Sequence, residues 1–591
     1  MNALRNTIPM ERQEKVGGGR KVQCRSCLWE VGREGEEGYR IELEKVETCV
    51  LGEFHEGVEG FKGRIVPYEN PSSAPPTPLK PESKSTPALH AAKDIKQTPT
   101  LSLKQRVEML ENFIVVQNKR LEGLEKKSTL QDTSTFPAGE PTPPPPKKFI
   151  PKPFPYHHIL EARCEALTNL GVGVCRVSLP DDYVSESLQN VEEADEESYT
   201  KGKWVVFVPS VIPGELVKCR VYRNYKGHSE ADLLEVIERS ENRVEPKCRI
   251  AGECGGCQYQ HVDVGYQRVW KRQHVVELLT KIGGIDSSTA EATVKDTVGT
   301  DEVFHYRSKL TPHYDAPRDR SEIDVIGFQR KQIRQLIDVP ECVIATKEIN
   351  EALPGVRERV NQRLEMGELK KKKGATLLLR HADEGVVFDH NQYVTTTVKD
   401  IKFRFKAGNF FQNNPYMLPS MVNYVVGQAK GGIGENGDGD MTHLVDCYCG
   451  SGLFCLSASK DFEVCVGIEV NDKAVEEARE NAALNGVENC EFVAASAEQI
   501  FYGGQVQTYP KDKTCVVIDP PRKGASEEFL EQLLKFGPKR IVYMSCGPDT
   551  QARDTKILLA SGAYELREVV PFDLFPQTRH IESCAVFERV N

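Results

Sequence analysis

Leu444-Val445-Asp446-Cys447-Tyr448-Cys449-Gly450-Ser451-Gly452 is the stretch that decides the fold, an apolar strand that runs straight into a glycine turn with helix-forming residues behind it. Strand, glycine turn and helix in this order let a nucleotide-like ligand approach the backbone. A lone G-x-G also closes ordinary tight turns, so the neighbouring segments carry the argument. Val464 to Val470 reads as a second strand with Glu469 near its end, placed to accept hydrogen bonds from ribose hydroxyls. A helix from Asp472 to Asn485 and a third strand, Cys490 to Ala494, follow. The alternation through residues 401–591 predicts an α/β, Rossmann-like domain whose parallel sheet is covered by helices on both faces. The glycine turn and acid at this spacing fit both a dinucleotide enzyme and a methyltransferase.

The fourth strand separates the two. Cys515 to Ile518 is apolar and ends in Asp519-Pro520-Pro521-Arg522-Lys523-Gly524. Two prolines make a rigid loop at the carboxyl edge of the sheet, where ligands bind in open α/β folds. Pro-Pro also serves purely structural turns, but an Asp directly before it at this edge points to function. Enzymes that methylate amino groups place an aromatic residue after this Pro-Pro to stack on the target base. Arg522 stands there instead, which disfavours an amino-group target.

The fifth strand, Arg540 to Met544, runs into Ser545-Cys546-Gly547-Pro548, so Cys546 falls at the same edge. Carbon 5 of uracil is too weak a nucleophile to take a methyl group unaided. A thiolate that adds to carbon 6 turns the ring into an enolate and makes carbon 5 reactive, which is nucleophilic catalysis by an accessible cysteine. The proton on carbon 5 must then leave, which calls for a general base. The tail reads Phe572-Asp573-Leu574-Phe575-Pro576-Gln577-Thr578-Arg579-His580-Ile581-Glu582. If Val569–Asp573 and Ile581–Val590 close the sheet as an antiparallel pair, Glu582 points toward Cys546, with His580 as the rival base. The bland readings are a thiol packed as a small hydrophobe, a charged strand end and a surface histidine.

Taken together, Phe410-Phe411-Gln412-Asn413-Asn414, Asp446 to Gly452, Asp519 to Gly524, Ser545 to Pro548 and Phe575 to Glu582 resemble the RNA (uracil-5-)-methyltransferase family, with the five motifs in the family's order over roughly residues 156–591. The resemblance implies methylation of uridine carbon 5 from S-adenosylmethionine, with Cys546 as nucleophile and Glu582 as base. It maps the cofactor contacts onto Gln412, Tyr448, Glu469 and Asp519, with Gly450 in the turn between them. Some members carry Asn where this chain has Leu453. His305 to His313 and Lys373 to Arg380 are similar to the fungal tRNA enzymes that make ribothymidine at position 54, so the T-loop of tRNA is the expected partner and ribosomal RNA the alternative. Val211-Ile212-Pro213-Gly214-Glu215 before a strand resembles the OB-like RNA-binding barrel called TRAM.

Cys248, Cys254 and Cys257 lie within ten residues, and Cys342 follows far downstream. Four thiolates suit an iron–sulfur cluster or zinc. The C-x5-C-G-G-C pattern with a distant fourth Cys resembles the [4Fe–4S] site of the family's cluster-bearing members, which ranks the cluster above zinc and above plain reduced thiols.

These motifs leave a four-part division. Residues 1–155 read as a largely disordered extension, because Pro71–Pro99 and Thr133–Pro155 are linker-like in composition. Between them a helix over 101–127 carries under four heptads, a weak signal for a coiled-coil partner. Cys24 and Cys27 form an isolated C-x-x-C without a second pair. Residues 156–245 read as the small β-barrel, with Gly171–Val174 in a turn, Trp204–Val208 and Glu215–Tyr222 as strands and an acidic insertion at Asp181–Glu197. Residues 246–400 read as a central cysteine-bearing α+β region, and 401–591 as the catalytic domain. A net charge of −10 argues against indiscriminate coating of nucleic acid but not against a local basic groove. Eighteen cysteines without a secretory leader point to a reducing compartment. No apolar stretch reaches membrane-span length, so no membrane partner is expected. The location expected is cytoplasmic or nuclear, with a mitochondrial address left open by Arg5, Arg12, Lys15 and Arg20. Three rivals remain. In RNA cytosine-5 methyltransferases a cysteine follows a proline where Asp519-Pro520-Pro521 stands here, and radical methyltransferases carry a different cysteine spacing. An RNA-binding or chaperone protein with a silent site is opposed by intact Gln412, Cys546 and Glu582.

Overall fold

The computed structural model describes residues 146, 148–179, 204–318, 320–331, 333–431, 441–501 and 504–590, together with four strands between Met10 and Val46. The chain divides into two compact units, Met1–Ala138 and Gly139–Asn591. In the first, Met10–Val16, Gly19–Cys24, Cys27–Glu34 and Gly38–Val46 form an antiparallel meander. This differs from the disordered extension expected over 1–155. The physical source is a two-residue alternation, visible in Leu28-Trp29-Glu30-Val31 and Tyr39-Arg40-Ile41-Glu42-Leu43, which suits a strand. Cys24 and Cys27 end one strand and begin the next. The helix expected over 101–127 and the acidic stretch Asp181–Glu197 lie outside the described residues.

The second unit opens with a closed five-stranded barrel made by Ile159–Leu167, Val172–Val177, Trp204–Pro209, Leu216–Asn224 and His228–Glu238. Alternate residues point inward, and Ala162, Cys164, Cys175, Val206, Val208, Val217 and Cys219 fill the interior. The expected turn at Gly171–Val174 shrinks to its first residue. Gly171 takes the left-handed conformation at φ 74°, and Val172 to Val174 already belong to the strand. Glu215 is fully buried and accepts two hydrogen bonds from the Arg243 guanidinium, a planar fork that matches a carboxylate. The packing starts before residue 156, because Asn224 donates to the carbonyls of Ile150 and Phe154, and Phe154 joins the barrel core.

Helices α1 (Val264–Lys281), α2 (Ser287–Thr293) and α3 (Lys347–Glu365) belong to the central region with several short strands. Asp263 caps α1 by accepting from the Tyr266 N–H. A hairpin, Tyr393–Val398 with Ile401–Lys406, leads into the last region and its helices α4 (Leu418–Lys430), α5 (Leu453–Ala458), α6 (Asp472–Leu484), α7 (Glu527–Phe536) and α8 (Pro548–Ala560). None of the described helices is long and apolar enough to cross a membrane.

The seven-stranded sheet of that region has strands β1 (His443–Cys447), β2 (Val464–Glu469), β3 (Cys490–Ala494), β4 (Thr514–Ile518), β5 (Arg540–Ser545), β6 (Tyr564–Phe572) and β7 (Glu582–Arg589). Their order is β3-β2-β1-β4-β5-β7-β6. The first five run parallel, and β7 lies antiparallel between β5 and β6. β4 and β5 are buried at every position, as a sheet covered on both faces requires. The chain order reverses beside β1, so the cleft at the carboxyl ends of β1, β2, β4 and β5 is where such a fold binds ligands.

The segment between β6 and β7, residues 573–581, is bound to α1. Lys271 donates to Asp573 at 2.5 Å, both side chains are fully buried, and the same ammonium reaches the Phe575 carbonyl at 3.2 Å. Gln267 exchanges hydrogen bonds with Gln577, Tyr306 donates to the Pro576 carbonyl, and the N–H groups of Gln258 and Tyr259 share the Gln577 carbonyl. Removing one member of a buried ion pair strands the other charge, at about 3–5 kcal/mol. Lys271→Met leaves Asp573 with the Arg268 guanidinium at 3.5 Å as its remaining cation, so unfolding stability is expected to fall by about 3 kcal/mol, the lower end of that range. Lys271→Met/Asp573→Leu should recover most of it, as read by urea denaturation of the single and double variants.

Candidate active site

β5 ends at Ser545, and Cys546 begins the turn into α8. Ser545 and Gly547 brace this turn, with the Gly547 N–H donating to Ser545 Oγ at 3.1 Å. A Cβ at Gly547 would meet the Arg522 carbonyl at 3.1 Å, so glycine lets the Asp519–Gly524 loop lie against the thiol turn. Thr550 closes the same contact by donating to the carbonyls of Arg522 and Gly547. Gly524 is left-handed at φ 78°, and Asp554 stands where its side chain would go. The Asp554 carboxylate accepts from the Ala525 N–H and the Tyr543 hydroxyl.

The ladder fixes what faces Cys546. Ser545 pairs with Ser583 across β5 and β7, so the next pair outward is Cys546 with Glu582. Gln551 locks this register, donating to the carbonyls of Tyr543 and Ser583 while accepting from Ser583 Oγ. The expected antiparallel closing pair is present as β6 and β7, and Glu582 is the first residue of β7.

Burial sets the titration of this corner. It pushes the Glu582 carboxyl up to about 8, and Asp519 adds to the shift while Arg522 opposes it. Burial likewise raises Asp519 to about 7. The Cys546 thiol rises to about 11, from burial first and then from Glu582 and Asp519, against the pull of Arg522. His580 moves the other way, to about 4, through burial and the charges of Arg522, Arg579, Lys271 and Arg307. At neutral pH His580 is a weak base, whereas Glu582 titrates near the working range, where a general base is most effective.

The glycine turn follows β1. Tyr448 and Gly450 are left-handed, at φ 67° and 54°, an unusual state for a tyrosine that concentrates at functional turns. The Gly450 N–H donates to Glu469 Oε2 at 3.2 Å, so turn and acid form one wall. A Cβ at Gly450 would meet nothing within 4 Å, which leaves the turn open to an approaching ligand. Asp446 is buried behind it, with Oδ2 accepting from the Cys455 N–H at 3.0 Å and Oδ1 without a partner. Gln412 stands half-buried in the loop after the 393–406 hairpin, where Asn414 reaches the Leu574 carbonyl and the Asn413 carbonyl accepts from Ser308. Glu477 joins the two walls, because its carboxylate accepts from Asn409 at 2.8 Å and from Ser451 at 3.1 Å. An open glycine turn, acids at the ends of β2 and β4 and an amide on the opposite loop fit a charged nucleoside such as S-adenosylmethionine.

Cys248, Cys254, Cys257 and Cys342 gather in the central region, each half-buried. Cys257 is near enough to the other three for their charges to add to the burial that pushes its thiol up to about 12. Asn350 holds Cys342 on both backbone groups, and Gln260 accepts from the Cys248 N–H. Among the described residues, the group whose ligand atoms all lie within 4.8 Å of one another is a different one, Cys455, Cys465 and Cys490.

The sequence reading missed Lys271, Asp573, Gln577, Gln551 and Glu477. Each has a decisive partner 26 to hundreds of residues away, such as Ser583 for Gln551, which no local pattern encodes. The available signal was a lysine on the inward stripe of α1, beside the buried Gln267, His274 and Val275.

Residues 338–590 match the family model described as tRNA (Uracil-5-)-methyltransferase. The chain is 40% identical over 399 residues to the tRNA (uracil(54)-C(5))-methyltransferase of Schizosaccharomyces pombe, covering 66% of this chain and 74% of that one. It is 33% identical over 457 residues to the Saccharomyces cerevisiae protein of the same description, covering 66% and 70%. It is also 30% identical over 423 residues to a 23S rRNA (uracil(1939)-C(5))-methyltransferase of Shewanella sediminis, covering 65% and 91%. Among solved structures, the tRNA (uracil-54, C5)-methyltransferase of Pyrococcus abyssi with S-adenosyl-L-homocysteine aligns with a TM-score of 0.52 and 23% identity over 72% of this chain and 100% of that one, a likeness of fold.

A carboxyl whose pKa is raised on folding stabilises the protein fully only while protonated. Glu582 therefore loses stability for the fold as pH climbs from 4.5 to about 8. Glu582→Gln is expected to raise the melting temperature, with a gain that grows across this window and levels off above it. Thermal unfolding of both proteins at a series of pH values checks this.

Proposed function

Because the chain belongs to the tRNA (uracil-5-)-methyltransferase family, we propose that it forms ribothymidine at uridine 54 of tRNA, with Cys546 as nucleophile and Glu582 as base. It is an S-adenosylmethionine-dependent enzyme that methylates carbon 5 of uracil in RNA. The observation that carries the residue roles is the β5–β7 register, which sets Glu582 across from Cys546.

The Cys546 thiolate adds to carbon 6 of the uracil, and the ring's electron pair moves to the carbonyl oxygen as an enolate. Carbon 5 then becomes the nucleophile. S-adenosylmethionine, which Gln412, Tyr448, Gly450, Glu469 and Asp519 would hold, would supply an electrophilic methyl group, with S-adenosylhomocysteine as the leaving group. The Glu582 carboxylate removes the proton from carbon 5, and the carbon–sulfur bond breaks to return the thiolate. Arg522 favours the charged forms of both Cys546 and Glu582. Phe410, 74% exposed beside Gln412, offers a face on which a displaced base can stack. Arg307, Arg522 and Arg579, whose charges all reach His580, suit the phosphates of a bound strand.

The tRNA assignment is supported by the two fungal relatives, each described as acting on uracil 54 of tRNA. The 23S rRNA enzyme of Shewanella sediminis motivates ribosomal RNA as the second reading. The five-stranded barrel is read as a TRAM-like RNA-binding module, supported by its closed topology and by Glu215 at the end of the Val211–Glu215 motif. Cys248, Cys254, Cys257 and Cys342 are read as ligands of a [4Fe–4S] cluster. The reading is supported by Cys257, whose thiol lies within electrostatic reach of the other three, so that all four can share one centre. The loop that carries Cys254 and Cys257 continues to Gln258 and Tyr259, which hold Gln577 of the catalytic tail, so the cluster would brace the active site.

Labelled methyl transfer to tRNA lacking the uridine-54 modification and to ribosomal RNA tests the assignment. Label in the T-loop is expected, and label confined to ribosomal RNA would replace the tRNA reading. Cys546→Ala should form no protein–RNA adduct, whereas Glu582→Gln should accumulate one on denaturing gels because the proton on carbon 5 stays in place. Protein purified without oxygen should carry iron and acid-labile sulfide. Cys342→Ser should lose both, and zinc in their place would overturn the cluster reading.

A further inference from the structure

We propose that Cys455, Cys465 and Cys490 form a three-thiolate site for a thiophilic d10 cation, zinc(II) or copper(I), at the edge of the catalytic sheet away from the cofactor cleft. The site is independent of the Cys248–Cys342 set and of the methylation chemistry. Three chain segments converge on it. Cys465 and Cys490 are register partners on the adjacent parallel strands β2 and β3, so their side chains share one face of the sheet. Cys455 comes down on that face from α5, and Cys490 Sγ approaches its carbonyl at 3.5 Å.

All three sulfurs lie within 4.8 Å of one another. Zinc–thiolate bonds of about 2.3 Å draw tetrahedral sulfurs to about 3.8 Å, so rotamer adjustments of about 1 Å suffice to close the shell. Soft thiolates select copper(I) and zinc over harder ions. Three protein ligands with an open position suit three-coordinate copper(I), or zinc completed by water. Cys455 and Cys465 are buried while Cys490 is half-exposed, which gives an ion a way in and water a place to bind.

The backbone around the trio is fixed. Asn489, next to Cys490, donates to the carbonyls of Ser459 and Phe462 at 2.8 Å each, tying the start of β3 to the end of α5. The Cys455 N–H is held by Asp446 at 3.0 Å. A second polar group nearby lacks a partner. The hydroxyl of Tyr509 is buried without a hydrogen bond, and the charges of Cys455 and Cys465 reach it. Binding replaces up to three thiol protons with one cation and changes no oxidation state, so no redox partner is needed.

The test uses the full-length protein and reads alkylation of each cysteine by iodoacetamide with mass spectrometry, with no added metal, with zinc(II), or with copper(I). Alkylation of Cys490 is expected to fall roughly tenfold when the free ion is at about ten times its Kd. The arm that protects at the lower concentration names the ion. Equilibrium dialysis of Cys490→Ser should show one equivalent fewer of that ion than the wild type. Unchanged alkylation of Cys490 in both metal arms would overturn the site and leave three thiols packed as small hydrophobes. If Cys490→Ser fails to fold, the wild-type alkylation result decides alone.

Discussion

The buried pair of Lys271 and Asp573 is the constraint on which the catalytic corner depends. β7 is the last strand among the described residues, yet it enters the sheet between β5 and β6. Its first residue has to arrive at the carboxyl edge in one register, because a slip of a single residue would turn Glu582 away from Cys546. The ladder sets that register from within, through Ser545 and Ser583, and α1 sets it from outside by holding Asp573, Phe575 and Gln577. A buried ion pair is a weak source of net stability but a strict condition on geometry, since neither charge tolerates losing the other. That explains why residues of the central region, far from the thiol in sequence, pack against the segment that leads into Glu582.

The same corner stores an electrostatic penalty. Asp519, Glu582 and Cys546 all prefer their protonated forms where they stand, and Arg522 is the cation that opposes this for the last two. A protein selected for stability alone would not gather two acids and a thiol in a half-closed cleft. A methyl transfer that needs a thiolate, a base and a positively charged donor gains from it. A bound donor would add positive charge to that of Arg522, which would further favour ionisation of the groups that must act. Binding and activation are thus linked through the field of the cleft.

The sheet was legible because each part of it is local. Strand, turn and helix alternate, apolar runs mark buried strands, and Glu469, Asp519 and Cys546 each fall at a strand end that can be counted from the sequence. Glu582 was legible only by supposing the antiparallel closure that β6 and β7 make. Lys271 and Glu477 were not, because a buried charge in a helix looks like any other charge until its partner is placed beside it. The strands of residues 10–46 were passed over because proline-rich composition further along coloured the whole extension, although their two-residue period was present. The trio of Cys455, Cys465 and Cys490 was invisible for a related reason. Its members are 10 and 25 residues apart along the chain, and only the parallel pairing of β2 with β3 and the descent of α5 bring them together.

The proposed chemistry turns on Cys546 bonding to the target uracil, with Glu582 placed to take the proton from carbon 5. The most direct measurement is to incubate the wild-type enzyme and S-adenosylmethionine with tRNA containing 5-fluorouridine. Fluorine on carbon 5 cannot leave as a proton does, so turnover stops at the methylated adduct. Digestion and mass spectrometry should find one methylated fluorouridine nucleotide attached to the peptide that contains Cys546, and originating from position 54. An adduct on another cysteine, or complete absence of an adduct from protein that methylates normal tRNA, would contradict the account.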